Sequence, residues 1–330
     1  MSPFADGIVK WSPERCSGKK GNQKVKRRVR RPLRIGLALG GGASRGWAHI
    51  GVINALSELD IHSEIVCGCS IGALVGASFV SGKLDSLENW VCSLTKVGLA
   101  RFFELNRSLN GFVDTEKLHE FFLQYVCRGQ QPIEDLTTKF ASVATDLETG
   151  REIWFTSGLL IDAVWASISL PGLFPPFQDQ GRWLVDGGLV NPVPVSVCRA
   201  LGADTVISVN LNGDIVGKHF IQEHNDQQPD MENILDKFSK TVNKYSPSFF
   251  KDERGRPAPP GLFDAIAGSV NIAQDRITRS RLAGDPPDIM LAPKLSGIGL
   301  LEFYRAKEAI LEGRECVMRL LPEIRHVLGK

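Results

Sequence analysis

Gly68-Cys69-Ser70-Ile71-Gly72 is the stretch that most constrains this chain. It fits G-x-S-x-G, the pattern of a serine on a tight strand-to-helix turn, where glycines remove side chains that the turn has no room for. The flanks supply the context that the pattern needs. Ser63 to Cys67 reads as a short buried strand, and Ile71 to Gly82 as a helix of small residues. Ser70 is therefore the candidate nucleophile, against the plainer reading of a sharp βα turn with no chemistry in it.

At 330 residues with 43% hydrophobic content, the chain is long and apolar enough for a full core. No apolar run approaches the roughly eighteen residues of a spanning helix, and Met1 to Lys10 lacks the basic-then-apolar order of a signal peptide. The expected location is the cytoplasm, with peripheral contact at the inner face of a membrane. Seven scattered cysteines suit reduced thiols, and Cys67 and Cys69 lack a Cys/His cluster at ligand spacing, so no metal site is expected. The net charge of +2 hides a basic block: Lys19 to Arg34 holds nine Lys/Arg and no acid. Such a block repels itself and does not fold alone, so residues 1–32 read as a basic tail. Its functional reading is contact with anionic lipid headgroups. Nucleic acid is not expected, because the block lacks interleaved aromatics and a folded reader beside it.

The folded part begins with Leu33 to Leu39, a buried-strand pattern that runs straight into Gly40-Gly41-Gly42-Ala43-Ser44-Arg45-Gly46. Ile50, Ile53, Leu56 and Leu59 then recur at helical spacing. A glycine loop between strand and helix turns backbone N–H groups toward an anion, aided by the helix start. One possible occupant is a dinucleotide pyrophosphate, with Glu58 or Asp60 as the ribose-binding acid, although Arg45 stands where the third glycine of G-x-G-x-x-G belongs. The other is the oxyanion of an acyl-transfer intermediate, which ties the loop to the serine turn one βα unit downstream.

Lys83 to Gln131 is mostly amphipathic helix, interrupted at Phe102-Phe103 and Gly111-Phe112-Val113. Its aromatics fit either an acyl channel or ordinary core, and His119 is a weak candidate for a triad. Asp146, in a turn between two strand patterns, reads as a backbone-bonding turn residue. Trp183-Leu184-Val185 leads into Asp186-Gly187-Gly188, which places a carboxylate at the end of a rigid strand with an open loop after it. Asp186 is the better candidate base, against a hairpin reading of its Asp-Gly step. Gly202 to Asn210 adds another buried strand, so strands and helices alternate as a mostly parallel sheet requires. Residues 214–260 form a polar excursion that carries His219 and His224 as solvated residues. Ile266 to Leu282 and Leu300 to Leu321 read as helices around the strand Asp288 to Leu291, closing one edge of the sheet.

Taken together, Gly40 to Gly46, Gly68 to Gly72 and Asp186 to Gly188 resemble the patatin-like phospholipases, within them the bacterial members related to the neuropathy target esterase catalytic domain. Ala144 to Gly150 and Ala166 to Pro176 resemble stretches of the same family, and the likeness runs from about Leu33 to about Asn210. It implies a three-layer α/β/α sandwich with a mostly parallel central sheet over 33–330. The implied activity is a carboxylic ester hydrolase of phospholipase or lysophospholipase type, acting on phospholipid or lysophospholipid without a cofactor. It further implies a Ser70-Asp186 dyad in place of a triad, with an oxyanion hole from Gly40, Gly41 and Gly42. Arg45 is left with two roles, binding a lipid phosphate or bracing the loop. The competing expectations are a non-catalytic lipid or acyl-binding module and a nucleotide-binding oxidoreductase.

Overall fold

Eight short strands carry the interior, and their composition explains it: β1 (Ile35–Leu39), β2 (Ile65–Cys69) and β7 (Thr205–Val209) are buried at every position. Strands covered on both faces read as continuous apolar runs. The computed structural model describes residues 33–102, 115–171, 173–214 and 262–330, and Leu33–Lys330 forms one compact unit. The basic tail up to Pro32, the excursion 215–260 with His219 and His224, and the interruptions at Phe103 and Gly111 to Val113 lie outside the described residues. Arg34, the last cation of the basic block, belongs to the folded unit, where its backbone N–H and Nε donate to Asp204 Oδ2 at 3.0 and 3.4 Å.

The other strands are β3 (Lys139–Asp146), β4 (Glu152–Phe155), β5 (Phe177–Asp179), β6 (Arg182–Asp186) and β8 (Ile289–Leu291). Hydrogen-bonded neighbours run β5-β6-β3-β2-β1-β7-β8, with β4 also paired to β3. The pairs β3–β2, β2–β1, β1–β7 and β7–β8 are parallel, while β4, β5 and β6 join antiparallel. One consequence of the register places the site. Ala144 pairs with both Ile153 and Asp186, and Val143 with both Cys69 and Trp154. Hence β4 occupies one edge of β3, and β2 and β6 share the other. They run head to head along it, β2 ending at Cys69 opposite Val143 and β6 at Asp186 opposite Ala144.

Helices cover both faces, so the layers are α/β/α. The helices α1 (Ala48–Glu58), α2 (Ile71–Val80), α3 (Leu84–Ser93), α4 (Lys96–Phe102), α5 (Thr115–Tyr125) and α6 (Leu160–Ile168) precede α7 (Val195–Ala200). After these come α8 (Leu262–Gly284), α9 (Ala306–Arg319) and α10 (Leu321–Leu328). Leu37, Leu39, Val66, Phe140 and Ile207 face α1, α2, α6 and α9, and Ala38, Cys67, Val143 and Val206 face α7 and Leu282 of α8. The segment expected as one helix from Leu300 to Leu321 is a 3-10 turn, Phe303–Arg305, followed by α9 and α10. The strand ahead of this segment, β8, is the terminal strand of the sheet, and α9 packs on α1, where a Cβ on Gly51 would meet the Ile310 carbonyl and one on Gly313 the Ala48 carbonyl. Among the described residues no helix is long and apolar enough to cross a membrane.

Candidate active site

Ser70 caps α2 in a conformation that side-chain-bearing residues rarely adopt, φ 54° and ψ −125°. That geometry stores on the order of 1–3 kcal/mol and persists because the turn is fixed from both sides. A Cβ on Gly68 would strike Ala73 of α2, and one on Gly72 would strike the Leu39 carbonyl of β1. Both glycines of the sequence pattern are therefore required by close backbone approach. Ser70 N–H donates to Ser167 Oγ at 2.9 Å, and Ser167 Oγ donates to the Val143 carbonyl at 2.6 Å. Ser167 is thus a wedge that ties the turn to β3, and sequence reasoning assigned it no role.

Because β2 and β6 converge on β3, Ser70 Oγ donates to Asp186 Oδ2 at 2.6 Å. The other carboxylate oxygen, Oδ1, accepts from Gly188 N–H at 2.7 Å, and Thr145 Oγ1 donates to the Asp186 carbonyl at 2.8 Å. Asp186 is 1% exposed, and burial pushes its carboxyl up to about 6, against the two hydrogen bonds that favour the charged form. Among the described residues no histidine bonds either group. His119, on α5, lies with its ring 6.3 Å from that of Trp165. Asp146 closes a turn, accepting from Glu148 and Thr149 N–H groups, as expected of it.

The glycine loop lies over this pair, and its amides divide sharply. Gly40 N–H donates to the Val209 carbonyl at 3.0 Å and Gly41 N–H to the Pro192 carbonyl at 2.9 Å. Those two amides, expected to face an anion, are occupied by the ends of neighbouring segments. Gly42 and Ala43 N–H have no acceptor among the described residues, and both residues line a cleft with Ser70 and Asp186. Buried His49 holds the loop from behind, its Nε2–H donating to the Gly40 carbonyl at 2.8 Å. Burial lowers its pKa to about 4, so the ring is neutral. Nothing in the sequence singled it out.

Arg45 is fully buried beneath α8. Its Nη2 donates to Asn271 Oδ1 at 3.2 Å, and its Nε and Nη1 have no partner among the described residues. Burial lowers its pKa to about 10, which leaves it a cation. Of its two expected roles this geometry matches bracing, because the guanidinium sits behind Asn271 and is absent from the described cleft wall. Two open spaces meet at Ser70. One, of about 680 Å³, is lined by Trp47, Leu74, Trp90, Leu118, Phe121 and Phe174 among others. The other, of about 520 Å³, is lined by Gly42 and Ala43 together with Asp186, Asn271 and Gln274. Aromatics of the amphipathic segment thus do border a chamber, which sequence alone left undecided. Burial raises the Cys67 and Cys69 thiols well above their ordinary range, in keeping with packing. No described group of His, Cys, Asp or Glu is arranged to hold a metal.

A family model described as patatin-like phospholipase matches residues 37–199. An uncharacterized NTE family protein of Mycobacterium tuberculosis is 32% identical over 87% of this chain and 91% of its own length. The lysophospholipase NTE1 of Pyricularia oryzae is 28% identical over 88% of this chain, which spans only 18% of that relative. The crystal structure of VipD from Legionella pneumophila aligns with a TM-score of 0.42 at 14% identity, over 88% of this chain and 67% of that one.

Proposed function

Because this chain belongs to the NTE family of patatin-like phospholipases, a family of lipid hydrolases, we propose that it is a serine acyl hydrolase of phospholipase or lysophospholipase type. Ser70 is the nucleophile and Asp186 its base. The observation that carries this reading is the 2.6 Å hydrogen bond from Ser70 Oγ to a buried carboxylate, made by a serine held in a strained turn. Above pH about 6 Asp186 is ionised, and its raised pKa makes it a stronger base than an exposed carboxylate.

In the first step Ser70 Oγ bonds to the acyl carbon while its proton passes to Asp186 Oδ2. The carbonyl oxygen becomes an oxyanion that accepts from Gly42 and Ala43 N–H, the amides that remain available. Preorganised donors of this kind are each worth about a hundred- to a thousandfold in rate. The alcohol leaves with the proton from Asp186. Water, deprotonated by the same carboxylate, then attacks the acyl-enzyme and frees the fatty acid and Ser70. The apolar chamber takes the acyl chain, since burying each methylene is favourable by about 0.8 kcal/mol. A nicotinamide cofactor is disfavoured, because a pyrophosphate cradle would call on the Gly40 and Gly41 amides that Val209 and Pro192 occupy.

The test is a panel of phospholipids, lysophospholipids and p-nitrophenyl esters assayed with the wild type, Ser70→Ala and Asp186→Asn. Both variants are expected to lose turnover by at least about a thousandfold while remaining folded. Retained turnover in Ser70→Ala sinks the reading. Labelling of Ser70 by a fluorophosphonate would argue against a non-catalytic lipid-binding module. In the same panel, salt is expected to depress turnover on anionic vesicles more than on the soluble ester if Lys19 to Arg34 contacts headgroups.

A further inference from the structure

The polar cleft beside Ser70 is built partly from one helix face that no sequence pattern marks. Asn271 and Gln274, one turn apart on α8, both line it, and they are 4% and 6% exposed. Each carboxamide is oriented from behind. Arg45 can only donate, so the Asn271 atom that faces it is the carbonyl oxygen, at 3.2 Å. Asn212 Nδ2 points toward the Gly41 carbonyl, which can only accept, and also donates to Gln274 Oε1 at 3.2 Å. With Oε1 held there, Gln274 Nε2 lies against Gly188, beside Asp186 Oδ1, where a Cβ on Gly188 would collide with it. That amino group makes no hydrogen bond to the protein among the described residues.

Gln274 Nε2 opens to the cleft, and once a ligand fills the cleft and excludes water a donor there is unfavourable unless the ligand supplies an acceptor. The cleft and the apolar chamber both border Ser70, so with the acyl chain in the chamber the alcohol half of the ester is left to the polar cleft. Asp186 is its only charged side chain among the described residues, since Arg45 is hidden behind Asn271. We propose that Gln274 donates through Nε2 to an oxygen atom of the glyceryl leaving group. This rests on the acyl-hydrolase reading and makes Gln274 a determinant of leaving-group specificity. A site built to hydrogen-bond an oxygen rejects analogues that lack it, because the donor that the ligand covers is then left unpaired.

The wild type is assayed on three esters of one fatty acid: 1-monoacylglycerol, the corresponding lysophosphatidylcholine, and the propyl ester, which lacks the hydroxyls. The expected kcat/KM favours both monoacylglycerol and the lysophospholipid over the propyl ester by about tenfold or more. In Gln274→Met, which keeps the side-chain length, the ratio of glyceryl to propyl ester is expected to fall about tenfold. An unchanged ratio, or equal loss on both esters, overturns the inference while leaving the hydrolase intact. A wild-type preference for the propyl ester overturns it without any variant. If the wild type hydrolyses none of the esters and Ser70 resists a fluorophosphonate, the acyl-hydrolase reading fails and takes the inference with it.

Discussion

Ser167 shows how much of a reactive serine lies in its neighbours. One hydroxyl accepts from Ser70 N–H and donates to the Val143 carbonyl, so it satisfies two buried backbone groups and pins the strained turn to β3. Ser167→Ala leaves both groups unpaired, and the expected destabilisation is about 1–3 kcal/mol. It also frees Ser70 to relax, so kcat should fall about tenfold to a hundredfold with a smaller change in KM. Steady-state kinetics beside a urea titration check this, and a variant that loses stability but keeps kcat would show that the wedge does not position the serine. At this scale the sequence was legible where chemistry needs a rare local shape, as at Ser70 and Asp186. Ser167 and His49 act through atoms that only the fold brings near. The loop motif likewise carried no sign of which amides the Val209 and Pro192 carbonyls occupy.

Among the elements, the strand-glycine-helix units were readable because each is local: an apolar run, a glycine turn and a helical stripe within thirty residues or so. Their pairing was not. That β2 and β6 meet end to end on one edge of β3 follows from register, a long-range property. The short strand β5 and the division of the C-terminal helix at Leu320 were missed for the related reason that brief elements carry little periodic signal. The α1–α9 crossing tests whether tight helix contact supports the site. Gly51 and Gly313 let backbones touch, and α1 is the helix that the glycine loop feeds. Gly51→Ala gains helix propensity but drives a methyl into the Ile310 carbonyl, which cannot swing aside. The expected net loss is about 1–3 kcal/mol, read as a lower urea midpoint at constant m. Gly268→Ala on α8, where an added Cβ meets nothing within 4 Å, should instead stabilise by about 0.5–1 kcal/mol. Equal effects of the two would show that the crossing has slack.

For the whole molecule, two buried groups couple folding to protons in opposite directions. Asp186 is raised to about 6 in the fold, against roughly 3.9 in an unfolded chain. The native state therefore binds a proton that the unfolded state lacks between those values, and stability from this group rises as pH falls. His49 is lowered to about 4, against roughly 6.5 unfolded, so its contribution is complete above pH 6.5 and is lost as pH falls toward 4. From pH about 6 to 4.5 each group alone would tilt stability by about 1.4 kcal/mol per pH unit, with opposite sign. Their two contributions nearly cancel across that window, so comparison of a variant with the wild type isolates Asp186. Asp186→Asn keeps hydrogen bonds to Ser70 and Gly188 but removes one coupling. It should be more stable than the wild type at pH 7 by on the order of 1–3 kcal/mol and lose about 1.4 kcal/mol per pH unit on acidification. Parallel midpoints for the two proteins would mean that Asp186 is ordinary in the fold. The expected divergence would show instead that the fold carries an ionised buried carboxylate at a net loss of stability, the trade expected where a base must stand dry beside a serine.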